Sequence, residues 1–316
     1  MPGVPVEPLP GVPQDEVEEL ARAALGPLLS QSLAALQGGE DLVLGGNIEL
    51  VEAASPPADL ERREVGQPFA VDRLVAPVGT HQLPIDELDH ARPRCAREVV
   101  GRRENPIREA IDNSAMAAGL SAIFNVVLDG DGAICGAVYG HPVEAHRAGI
   151  PLALGAHTVT LPRRADIVVA DGYPFDIEFW QVNKALDNAA LAVREGGVII
   201  IVSPCYEGLS VTHGEEIRRI GYRSRTEIVR LVEQGKFTHR VAAVHMIQVA
   251  EATIEKGVTC ILVTGGIPPG VLREVNLGYA PDPPSALAAA FGIAGEGARV
   301  AVLRRASETL PLIQEH

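Results

Sequence analysis

The stretch RRADIVVADGYPFDIEFWQVNKALDNAALAVREGGVIIIVSP, residues 163–204, sets two apolar segments on either side of one helical pattern. ADIVVADG (165–172) and GGVIIIVSP (196–204) are short runs rich in Val and Ile, without the alternation of a strand that keeps one face in water. Runs of this kind belong to strands covered on both faces. Between them, from about Asp176 to Arg194, lies a helix, so the three segments read as a βαβ unit.

Toward the C-terminus the alternation continues. Helices are expected across 214–234 and 238–256, then a strand in VTCILVTGG (258–266) and a helix after Pro268-Pro269. Another helix at 284–293 and a strand in ARVAVLRR (298–305) complete the pattern. The class is α/β with two domains, the C-terminal one a doubly wound, mostly parallel sheet flanked by helices. Upstream, Asn105 followed by Pro106 predicts a helix start, capped by the Asn side chain and running to about Ala118. SAIFNVVLDGDGAICGAVYG (121–140) predicts a hairpin, its DGDG a turn in preference to a calcium loop. A short helix is expected at 142–149. DLVLGG (41–46) reads as a strand after a helical pattern across 15–37, interrupted at Gly26-Pro27. Residues 52–104 show little periodicity. The division expected is a shortened N-terminal domain, 1–155, and a C-terminal α/β domain, 156–316.

Composition narrows the function classes. The chain has 316 residues and a formal charge of −14, from 41 acidic and 27 basic side chains. That balance argues against nucleic acid, which needs a basic footprint. No apolar run approaches the ~20 residues of a membrane span, and the proline- and acid-rich start does not resemble a signal peptide. The four cysteines form no CxxC pair, so a disulfide framework or cysteine zinc site is not indicated. A cytoplasmic protein acting on a small molecule is expected, without nucleic-acid or membrane partners and compatible with a homo-oligomer.

GxGxxG, GxxxxGK[ST], GxSxG and HExxH are all missing, which removes the usual nucleotide and hydrolase readings. What remains lies at strand ends, where ligands of doubly wound sheets bind. Those ends carry Asp171-Gly172-Tyr173-Pro174, Ser203-Pro204-Cys205-Tyr206-Glu207-Gly208 and Thr264-Gly265-Gly266. Gly172 and Gly265 would let main chain approach a cofactor, or would simply turn the chain. On the following helix, Gln181 and Lys184 share one face, with Trp180 four residues before Lys184. An amide and an ammonium so placed can hold a carboxylate; a solvated face over a core tryptophan is the alternative.

From Asn105 onward the chain resembles the nickel-pincer-dependent lactate racemase family. ENPIREAI, AIFNVVLDGDG, HPVEAHRAGI and the segment 163–210 carry the likeness, followed by GKFTHRVAAVH, NLGYAPDPPSALAAAF and ARVAVLRRASETLP. The resemblance implies a nickel ion held by a pyridinium-derived mononucleotide in a sulfur–carbon–sulfur pincer. Hydride leaves the substrate α-carbon for the pyridinium, giving a planar 2-keto acid, and returns to either face. Two histidines on opposite sides exchange the hydroxyl proton, a task suited to their pKa. The resemblance also implies that Gln181 and Lys184 bind the substrate carboxylate.

The N-terminal third departs from the family. GGNIELVEA stands where an Asp-x-Thr-Arg-Pro motif would follow the first strand, and an echo, Asp89-His90-Ala91-Arg92-Pro93, comes later. From it Arg92 is a candidate cofactor contact. Gly79-Thr80-His81 resembles the family's catalytic Gly-Thr-His segment and makes His81 the candidate proton-transfer residue. His90 is a candidate nickel ligand when counted back from Asn105-Pro106, and a loop histidine when counted forward from His81. The family tethers its cofactor through a lysine upstream of the Asn-Pro helix, yet no lysine here precedes Lys184. Arginine does not replace an amine nucleophile. The expectation is a 2-hydroxy-acid racemase or epimerase whose nickel-pincer mononucleotide is bound without a covalent link. The alternative is a non-catalytic paralogue that serves as a metabolite-binding or assembly module.

Overall fold

The computed structural model describes residues 48–51, 103–130 and 134–314. Of these, 103–158 fall in one compact unit, and 48–51 with 159–314 in the other. Most of the expected first domain, 1–155, and the strand expected at 41–46 lie outside the described residues.

In the first unit, helix α1 (Pro106–Ala117) starts as its sequence predicts, the Asn105 side chain accepting a hydrogen bond from Arg108 N at 2.9 Å. Strands β2 (Ile123–Leu128) and β3 (Ile134–Gly140) pair antiparallel. Helix α2 (Pro142–His157) is twice the expected length and runs through Pro151, where 142–149 was expected. Proline removes one helical hydrogen bond, but packing on the hairpin overrides that cost. Leu152 lies over Gly136, where an added Cβ would come within 2.8 Å of its Cδ1. Arg147 of α2 ties the unit together by binding Asp112 of α1 at 3.0 Å and Glu104 at 2.7 Å.

The second unit is built on a sheet with the order β1-β9-β5-β6-β7-β8. Its strands are β1 (Ile48–Val51), β5 (Ala165–Asp171), β6 (Val193–Val202), β7 (Thr259–Val263), β8 (Gly278–Ala280) and β9 (Val300–Leu303), and all neighbours are parallel. A small two-stranded sheet joins β4 (Thr158–Leu161) to β10 (Leu310–Ile313). β6 begins three residues earlier than expected because Gly196 and Gly197 sit in an irregularity, where the register jumps from Ala165↔Val193 to Ile167↔Val198. The short strands β4, β8 and β10 were not anticipated.

From β5 through β8 the chain steps steadily across the sheet, and then returns to place β9 on the far side of β5. Crossovers between parallel strands are right-handed, so the two directions put their helices on opposite faces. Helix α3 (Phe179–Ala192) lies against β5 and β6, and packs on α6 (Arg240–Ala252). Between α3 and α6 come α4 (Gly214–Ile220) and α5 (Arg225–Glu233). After β7 come α7 (Pro269–Glu274) and then α8 (Pro283–Ala294), which covers the other face. There Ala286, Leu287 and Ala290 close over Ile167, Val169, Ile200, Ile261 and Val300. The doubly wound parallel sheet is therefore as expected. Its direction reverses between β5 and β9, which fixes the topological switch point at their carboxyl ends.

Candidate functional site

The carboxyl end of β5 is bound to both neighbours. Gly172 N donates to Val202 O of β6 at 3.0 Å, and Ala306 N, just beyond β9, donates to Asp171 O at 3.1 Å. Ser203 follows β6 and packs against Gly172, where an added Cβ would lie 2.9 Å from its Cβ and Oγ. Gly172 is thus required by the protein's own packing. At the end of β7 the crowded glycine is Gly266, whose added Cβ would meet Cys205 O at 2.0 Å, whereas Gly265 faces open space.

Helix α3 rises from this end of the sheet. Its first amides are used internally: Phe179 N donates to Gly208 O and Trp180 N to Leu209 O, both at 2.9 Å. The N-cap residue Glu178 accepts from Val211 N at 2.7 Å. With the helix end satisfied, the chemistry falls to side chains. Lys184 Nζ donates to Gln181 Oε1 at 2.5 Å and lies 4.2 Å from the centroid of the Phe175 ring. Both Gln181 and Lys184 are half-buried. Burial pulls the Lys184 pKa below its ordinary value, and the charge of Glu178 pushes the other way. The pair is an amide and a partly desolvated cation on one face, the donor chemistry that suits an incoming carboxylate.

On the same helix Trp180 stacks on His245 of α6 with ring centroids 4.2 Å apart, and meets His213 at a tilt with centroids 4.9 Å apart. His245 is 3% exposed and shares a 3.0 Å hydrogen bond with the hydroxyl of Tyr222. Burial, with a smaller push from His213, brings the His245 pKa down to about 3. Asp171 is 2% exposed, and burial raises its carboxyl to about 6. Asp171 was marked only as part of a strand end and His245 not as a site residue, because both shifts come first from burial, which the fold creates. Phe175 was missed because its place beside Lys184 also depends on the fold, although it lies in the quoted DGYPFD.

Of the seven residues expected at the site, Gln181 and Lys184 are brought together, and Gly172 and Gly265 stand at the ends of β5 and β7, with β6 between them. His81, His90 and Arg92 lie outside the described residues. Among the described residues no group of three His, Cys, Asp or Glu side chains is placed to hold a metal ion. A cleft of about 540 Å³ in the first unit is lined by Glu104, Glu109, Asp112 and Arg147 among others, three acids to one base. Its acidity disfavours an anionic ligand, which leaves the α3 face as the better candidate. No described helix is long and apolar enough to cross a membrane.

Residues 161–307 match the family model of the lactate racemase C-terminal domain. It is this domain of the lactate racemases that the chain resembles. It is similar to the lactate racemase of Thermoanaerobacterium thermosaccharolyticum, 37% identical over 114 residues, which are 35% of this chain and 26% of that protein. It is 27% identical over 203 residues to the lactate racemase of Lactiplantibacillus plantarum, covering 63% of this chain and 47% of that one. The chain therefore spans about a quarter and about half of the lengths of these two relatives. The lactate racemase apoprotein of T. thermosaccharolyticum shares the fold with a TM-score of 0.56 at 23% identity, over 67% of this chain and 50% of the other. A protein of Thermotoga maritima does so at 0.52 and 22%, over 67% and 54%.

Proposed function

We propose that the chain is a racemase or epimerase of a small 2-hydroxy acid, with Gln181 and Lys184 binding the substrate carboxylate. The observation that carries this reading is the pair itself, an amide oxygen and an ammonium joined at 2.5 Å on the half-buried face of α3. The likeness of this domain to that of lactate racemases supports it.

In this reading the substrate's carboxylate takes Lys184 as its counterion and the Gln181 amide as a donor. Its α-carbon is held in one orientation while its hydroxyl turns toward a base, the role assigned to His81. Among the described residues Gln181 and Lys184 suit the carboxylate, and the candidate nickel ligand His90 lies outside them. Bound, the nickel-pincer mononucleotide supplies a hydride acceptor for the α-carbon. We assign His90 to nickel and Arg92, Gly172 and Gly265 to the cofactor. Binding is non-covalent, because no lysine precedes Lys184. A reducing, cytoplasmic setting suits the free thiols of Cys135, Cys205 and Cys260.

The test is to co-produce the full chain with the enzymes that make the pincer cofactor, and then to measure nickel, native mass and interconversion of D- and L-2-hydroxy acids. About one nickel per chain and a nucleotide mass lost on denaturation are expected. Lys184→Ala should lower kcat/KM on the turned-over acid by about 100-fold, the size of a lost charge-assisted contact. Turnover of every tested acid left unchanged by Lys184→Ala would sink the reading. A chain without nickel or added mass would favour the second reading, a non-catalytic metabolite-binding paralogue, which the missing upstream lysine also favours.

A further inference from the structure

Lys184 is unusual for a half-buried cation in what surrounds it. Among the described residues its partners are a neutral amide oxygen and an aromatic face. The nearby Glu178 carboxylate is engaged elsewhere, its Oε2 accepting from the loop amide Val211 N. We propose that Phe175 is a positioning residue for Lys184: its ring face, 4.2 Å from the ammonium, holds that cation in register with Gln181 without neutralising it. The inference rests on the reading that Lys184 receives the substrate carboxylate.

The physical reason is the difference between an ion pair and a quadrupole. A carboxylate in place of the Phe175 ring would pair with Lys184 and compete directly with an incoming carboxylate. The negative face of an aromatic ring attracts the ammonium but brings no formal charge, so the full positive charge stays available. The ring also answers the cost of burial, which acts against the charged form of Lys184. The backbone around Phe175 is pinned: Phe175 N donates to Gly172 O at 3.0 Å, and the next carbonyl, Asp176 O, accepts from Cys205 N at 3.0 Å and Ser203 Oγ at 3.2 Å. Gly172 is itself wedged against Ser203. The β5–α3 turn therefore presents the ring from a fixed platform at the end of the sheet.

The decisive experiment weakens the ring's π face without changing its shape. Phenylalanines carrying one, two and three fluorines are placed at position 175 of the full chain. The Lys184 side-chain resonance is titrated by NMR, and binding of lactate anion is measured by calorimetry. The Lys184 pKa is expected to fall stepwise with fluorination, and lactate affinity to fall in step. Phe175→Leu should weaken lactate by about fivefold, and Phe175→Tyr should restore it. A Lys184 titration and lactate affinity indifferent to fluorination, with Lys184→Ala still abolishing binding, overturns the proposal and leaves the site reading intact. Lactate binding unchanged by Lys184→Ala overturns the site reading, and the proposal falls with it.

Discussion

At the scale of single residues, the contact between Gly172 and Ser203 sets how closely the first two strand ends approach. An alanine at 172 would press its Cβ to 2.9 Å from the Ser203 side chain. Gly172→Ala is expected to cost about 1–3 kcal/mol of stability, the usual range for overpacking. Adding Ser203→Gly should recover a large part of that loss, because neighbouring changes do not add. Urea unfolding of the two single variants and the double variant measures it, and strict additivity would show that the two residues do not clash. The glycine pattern at strand ends was legible in the sequence, but which glycine is indispensable was not. Gly266 is crowded by Cys205 and Pro204 and Gly265 is not, and those neighbours lie some sixty positions earlier. Likewise the shared face of Gln181 and Lys184 followed from helical spacing alone, whereas the ring of Phe175 beside them depends on how a turn folds back.

Among the elements, α3 shows how much of its placement comes from outside its own sequence. Its N-terminal amides are satisfied by the loop after β6, and its last turn by a buried lysine. Lys256, 8% exposed, donates to Ala190 O, and to Val193 O at 3.2 Å. A cation at a helix C-terminus complements both the orphan carbonyls and the macrodipole. Lys256→Met should leave those carbonyls unmet and cost about 1–3 kcal/mol, seen as a lowered thermal midpoint; an unchanged midpoint would remove the capping role. Strands in the quoted 163–204 segment were readable because continuous Val and Ile runs mark doubly covered strands. α2 was not readable past its first half, since Pro151 is a local stop signal that contact with the hairpin overrules. Three-residue β8 offers too short a pattern to separate from a loop, and β4 and β10 earn their strand character only by pairing with each other.

For the whole molecule, two buried groups oppose each other in acid. His245 titrates at about 3 against an ordinary 6.5, through burial first and His213 second. Asp171 titrates at about 6 against 3.8, through burial, tempered by main-chain donors. Between about pH 4.5 and 6 the unfolded chain holds a proton on His245 that the folded chain lacks, so acidification destabilises through that residue. Over the same window the folded chain holds a proton on Asp171 that the unfolded chain has lost, so acidification stabilises through it. The two slopes largely cancel. Asp171→Asn should expose the histidine slope, a loss of about 1.4 kcal/mol per pH unit of acidification. His245→Phe should reverse it. Denaturant midpoints measured across that window decide the matter, and parallel curves for all three proteins would reject the balance. None of this could be foreseen from composition, because each shift is set by the fold around a single atom.

The sheet order carries one more consequence, in the time domain. β9 comes from residues 300–303 of a 316-residue chain, yet it sits inside the sheet, between β5 and β1. A ribosome delivers β5 long before β9. Until then Ile167–Ala170 present an open strand edge, with no partner on that side and every invitation to wrong pairing. The crevice beyond β5 and β9 has only one wall during that interval. The crevice is thus incomplete in the nascent chain until β9 has been made.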